Sequence, residues 1–155
     1  MKRNLQLQYF LSISKLLEDR LREELDTMGI FHGQGKVLAE LYQNDGMPQI
    51  TIAKTLGISP ATVTNMVKRM ESGGLVKRIS DKNDDRVIRV HLTKEGNKAA
   101  EKVIDVWERI NNYLQTLVSE DELDSMQHSL AKIRFGLSGA EDDTLTYIGE
   151  SVFAD

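Results

Sequence analysis

Apolar residues recur at three- and four-residue steps at the start of the chain. Leu5, Tyr9, Ile13, Leu16, Leu17, Leu21, Leu25 and Met28 form one stripe of a helix expected over 5–28, which Gly29 would stop. A second helix is expected over 36–43, carrying Val37, Leu38, Leu41 and Tyr42; residues 32–35, with two glycines, are poor helix formers. Asn44-Asp45-Gly46 is a turn signal. Two short helices follow, roughly 51–56 and 60–72, and Gly73-Gly74 ends the second. Residues 75–80 and 87–92 are rich in β-branched side chains and partly alternate, as half-buried strands do. The polar segment between them makes a hairpin with a charged tip.

Thr93 has the chemistry of a helix N-cap and opens a long helix over 94–117. Its seam is Ala99, Val103, Val106, Ile110, Tyr113 and Leu117, a spacing suited to packing along another helix. Ser119 and Glu122 have the spacing of a capping box for a last helix, 120–137. Beyond it the chain is acidic, with Leu145, Tyr147, Ile148, Val152 and Phe153 able to form one short helix.

Charge changes this picture. The net charge is −4, yet residues 50–94 hold nine Lys/Arg against four Asp/Glu. A basic middle in an acidic chain suits a polyanion on one face. The absence of cysteine excludes disulfides, thiolate catalysis and thiolate metal sites, and agrees with a cytoplasmic location. No segment has the run of about 18 apolar residues that a membrane span needs, so no membrane partner is expected. The first twenty residues read as helix rather than signal peptide.

The two short helices form a helix-turn-helix. Ala53 is the small residue where the helices cross, and Gly57 permits the turn. Ile52, Leu56, Ile58, Val63 and Met66 supply the packing face. Ser59 can cap the second helix, with Pro60 in its first position. The outer face is then Ser59, Pro60, Ala61, Thr62, Thr64, Asn65, Lys68 and Arg69. Small residues admit a close approach, hydroxyls and Asn reach base edges or phosphates, and the cations hold phosphate. This suits a helix entering a major groove by its N-terminal half. At the hairpin tip, Lys82, Asn83, Asp84 and Arg86 extend the surface. An Asp there can hold one cation for a minor groove.

These motifs resemble the MarR-type transcriptional regulators. Asp84-x-Arg86 with Leu92-Thr93, within DDRVIRVHLT, looks like that family's wing signature. GQGKVL at 33–38, IAKTLGISPATVTNMVKRMESGGLVKR at 52–78 and LTKEG at 92–96 are similar in order and spacing. The resemblance covers about residues 5–137 and implies a mainly α fold with a small β-hairpin wing. The winged helix-turn-helix would occupy 31–92, with helical dimerisation regions at 1–30 and 93–137. The acidic extension 138–155 departs from the family pattern.

The resemblance further implies a homodimer on double-stranded DNA with a palindromic operator, acting as a repressor and modulated by a small-molecule effector. Asp84 would brace the wing, Arg86 would contact the minor groove or its phosphates, and residues 60–69 would read the major groove. Tyr9, His32, Tyr42 and Trp107 are the aromatic and imidazole groups available to an effector. His32, His91 and His128 lack metal-ligand spacing, so no metal and no cofactor are expected. There is no phosphate-cradling glycine loop, His-Glu-x-x-His or Gly-x-Ser-x-Gly, which argues against an enzyme. A winged helix used only for protein contacts is the alternative.

Overall fold

The computed structural model describes residues 5–138; the expected short helix of the acidic extension lies outside them. The elements are α1 (Leu5–Asp26), α2 (His32–Gln43), β1 (Met47–Pro48), α3 (Gln49–Leu56), α4 (Pro60–Ser72), β2 (Val76–Ser80), β3 (Ile88–Leu92), α5 (Lys94–Gln115) and α6 (Glu120–Ser138). The chain divides into two compact units, 1–106 and 107–155, and the division falls within α5.

In the first unit, α1 ends two residues earlier than its apolar stripe. Met28 N donates to Leu25 O at 3.0 Å, a tightened last turn, and Gly29 adopts φ 71°. The second helix begins at His32, not at residue 36 as propensity suggests. Its glycines serve packing: a Cβ on Gly33 would lie 2.9 Å from Met66 Cε, and one on Gly35 2.8 Å from Leu25 Cδ1. The helix keeps poor helix formers because α1 and α4 come too close for a side chain.

The hairpin has a third strand beside it. The sheet order is β1-β3-β2, all antiparallel, with Met47 opposite Val90 and Val76 opposite Leu92. Two residues are too few for an alternating pattern, so β1 was unreadable in sequence. Pro48 is tolerated because β1 lies at the edge. The core of this unit includes Leu25, Val37, Leu38, Leu41, Ile52, Val63, Val67, Met70, Val76, Val90 and Val103, each less than 2% exposed.

Thr93 does cap α5. Its Oγ1 accepts from Gly96 N at 2.9 Å and lies 2.6 Å from Gly74 O. In the second unit α5 stops at Gln115, short of 117, through i→i+3 bonds to Tyr113 and Leu114 carbonyls. The capping box of α6 is present: Ser119 N donates to Glu122 Oε2 at 2.9 Å, and Glu122 N to Ser119 Oγ at 3.4 Å. No described helix is long and apolar enough to cross a membrane.

Candidate nucleic-acid interface

The turn between α3 and α4 is made by local chemistry. Gly57 takes φ 63°, which lets Ile58 N reach back to Ala53 O at 3.1 Å. Ser59 Oγ accepts from Thr62 N at 3.1 Å, and Pro60 fills the position whose N–H would have no helical partner. Val63, Val67 and Met70 bury one side of α4. Ala61, Thr62, Asn65, Lys68 and Arg69 are exposed on the other.

Not all the expected hydroxyls are available. Ser59 and Thr62 hydroxyls pair at 2.7 Å. Thr64 is half-buried, and its Oγ1 lies 2.9 Å from Pro60 O and 3.3 Å from Gln49 Oε1. By contrast, no ion pair engages Lys68 or Arg69 among the described residues.

The wing is braced by two aspartates, one of which sequence reading did not single out. Asp84 Oδ1 accepts from both Arg86 N and Arg86 Nε at 3.0 Å, and Oδ2 from Nη2 at 3.1 Å. The Arg86 side chain is nevertheless 90% exposed, so the pair holds the cation outward. Asp81 Oδ1 accepts from Asn83 N at 2.8 Å, while Oδ2 binds Arg89 Nε. Arg89 Nη1 continues to Gly46 O at 2.9 Å, anchoring the wing to the turn after α2. Lys82 and Asn83 stand exposed at the tip. Asp45 completes the anchor, accepting from Leu92 N at 2.7 Å and meeting His91 Nδ1 at 2.9 Å.

A second brace joins α4 to the wing. Glu71 accepts from Arg78 N at 3.1 Å and Arg78 Nε at 2.7 Å. Opposite charges seven residues apart across Gly73-Gly74 were the only hint in sequence. These carboxylates favour the ionised form more than free ones do. Arg86's side-chain bond holds Asp84 below the usual range, the Asn83 N–H and then Arg89 do so for Asp81, and Arg78 does so for Glu71. Between helix and wing lies a groove of about 220 Å³ lined by Pro48, Gln49, Ile50, Pro60, Thr64, Arg86, Val87 and Ile88.

The effector candidates do not gather in one place within the first unit. His32 opens α2, and Tyr42 lies ten residues on, about 15 Å along the axis. Tyr9 and Tyr42 are exposed, and Trp107 is half-buried in the second unit. Among the described residues no group of three or more metal-ligating side chains is found.

A capped helix-turn-helix followed by a braced three-stranded wing defines a winged helix-turn-helix protein. The sequence profile of the MarR family matches residues 30–88. Among curated relatives, Bacillus subtilis HTH-type transcriptional repressor MdtR is 28% identical over 117 residues, covering 76% of each chain. The uncharacterised regulator YdgJ of the same organism is 30% identical, covering 73% of this chain and 69% of its own. The S. aureus MepR–DNA complex superposes with a TM-score of 0.78 at 30% identity, covering 84% of this chain and 96% of MepR. The chain belongs to the MarR family of transcriptional regulators.

Proposed function

We propose that the chain is a DNA-binding transcriptional regulator, acting as a homodimer on a palindromic operator and repressing transcription. The observation that carries this reading is the continuity of α4 with the wing. Asn65, Lys68 and Arg69 stand exposed on one element, and Arg86 is held outward on the other. Helix α4 enters the major groove with its N-terminal half, where Pro60, Ala61 and Thr62 permit close approach and Asn65 reads a base edge. Ser59 and Thr64 fix the helix start. Lys68 and Arg69 bind phosphate, and Lys82, Asn83 and Arg86 meet the backbone near the minor groove, with Asp84 orienting Arg86.

The bound S. aureus MepR supports the DNA partner, and MdtR supports repression. The dimer is supported by the uncovered apolar faces of α1 and α6, which include Leu11, Leu16, Leu130 and Ile133. In this reading the domain division is 1–30 and 93–137 for dimerisation and 31–92 for DNA, and the protein acts in the cytoplasm without catalysis. A small molecule that binds one spacing of the two DNA-reading surfaces better than another shifts the dimer between them. Tyr9, His32, Tyr42 and Trp107 are separate candidates for its contact and not one pocket.

The test is selection of bound fragments from random duplex DNA, followed by a salt titration on the recovered sequence. A palindrome with half-sites about one helical turn apart is expected. Affinity should fall steeply with salt as phosphate contacts release counterions. Recovery of no common sequence, with a flat salt response, rejects the reading.

A further inference from the structure

His32 opens α2, beside α1 and close to the recognition helix α4. Both of its ring nitrogens are closed to solvent, and neither has a hydrogen-bond partner among the described residues. A neutral imidazole there leaves one N–H and one lone pair unmatched. A protonated one leaves two N–H groups and a charge. Among the described residues, Arg22 on α1 and Lys36 on α2 oppose that charge, and Glu18 on α1 favours it. Burial first, and then Lys36, therefore hold the ring below the usual imidazole range.

The neighbouring residue connects this site to DNA reading. The volume a Cβ of Gly33 would fill is occupied by Met66, whose Cε lies 2.9 Å and Sδ 3.6 Å from that position. Met66 is the inward neighbour of Asn65 on α4, so the first turn of α2 is a seat for the middle of the recognition helix. Displacing that turn displaces Met66, because close-packed interiors transmit small shifts.

We infer that His32 is a proton-sensitive positioning residue: once protonated it leaves its site, unseats Met66 and lowers affinity for DNA. The inference rests on the DNA-binding reading above. The seated arrangement favours the neutral ring. Its advantage is complete above the free imidazole's value of about 6.5 and is lost as pH falls through the window below it. The loss is limited to about tenfold for each unit by which the seat depresses the ring. General acidification has the opposite effect, since added positive charge strengthens phosphate contact.

The experiment measures affinity of the full chain for the selected duplex from pH 8 to pH 5.5 at constant ionic strength. Wild type, His32→Gln and a His128→Gln control are compared, and the His32 ring is titrated by NMR in wild type. Wild type and His128→Gln should weaken on acidification while His32→Gln stays level or tightens. The ring should titrate below ordinary imidazole. Parallel profiles for wild type and His32→Gln overturn this inference alone. Should His32→Gln not fold, a wild-type ring titrating at or above the ordinary value overturns it instead. Folded wild type that binds no duplex at any pH removes the function reading and the inference's DNA step together.

Discussion

The winged region and the outer helices use apolar residues in opposite ways. Between Ile30 and Leu92 a set of large side chains turns inward, with Leu38, Leu41, Ile52, Val63, Met70 and Val90 essentially without exposed surface, while Phe31, Tyr42, Ile50 and Ile79 stay exposed. Polar groups of the wing are matched by Asp45, Asp81 and Asp84, so the region closes on itself. On α1, Leu7, Leu11, Ile13 and Leu16 are more than half exposed, and on α6 Leu130, Ile133 and Leu137 are exposed too. The same helical period therefore marks a buried core in one region and an exposed apolar face in the other. Period reports which face is apolar, and the neighbours decide what covers it.

The largest expected effect breaks this contrast at α6. Leu130→Asp with Ile133→Asp should weaken self-association by about 8 kcal/mol, since a symmetric dimer loses both anchors from each protomer, four side chains at about 2 kcal/mol each. Sedimentation should find monomers whose winged region remains folded. A dimer of undiminished strength would place the interface elsewhere.

Next is Gly96→Ala, directed at the closed region. Its Cβ would sit 1.9 Å from Leu75 O, a backbone atom held by Thr93 N at 3.0 Å. Overpacking of this severity should cost on the order of 3 kcal/mol. Thermal unfolding reads the loss, and an unchanged midpoint would mean that α5 shifts freely against the strand.

A smaller effect sharpens the boundary between folding and function. Arg86→Ala should reduce DNA affinity about tenfold and lower the salt slope by about one, with stability and self-association unchanged. Equal affinity in an anisotropy titration would make Arg86 a spectator.

The smallest concerns a flaw inside the closed region. Glu40 is 7% exposed, its Oε2 has no partner among the described residues, and burial raises its carboxyl above the usual range. The native state thus prefers the protonated form. Its contribution is complete below the unfolded value of about 4.3 and is lost as pH rises through the folded one. Glu40→Met should therefore stabilise by about 1 kcal/mol near pH 7, with the gain shrinking toward pH 4. A gain independent of pH would trace to packing instead of charge.

Much of the fold was legible because it is written in short-range chemistry. Gly57, Ser59 and Pro60 act within four residues of one another, as do Thr93 with Gly96 and Ser119 with Glu122. The wing's Asp84–Arg86 pair spans only two positions. Harder to read were residues whose partners lie far along the chain. Arg89 reaches Gly46 across 43 positions, and Asp45 reaches Leu92 across 47. Propensity also misplaced the start of α2, where Gly33 and Gly35 are set by close approach and not by helix preference.

By itself the sequence determined which segments are helical, where α4, α5 and α6 start, which middle segment is basic, and that an aspartate at the wing tip can hold a cation. Each depends on torsions, capping bonds or charges carried by neighbours along the backbone. Only the tertiary structure decided that a two-residue strand joins the hairpin, that Asp81 shares the bracing with Asp84, and that Thr64 turns back from the outer face. It alone also left the nitrogens of His32 shut away without partners. Those outcomes depend on which distant groups exclude water from one another, and that is fixed when the elements pack.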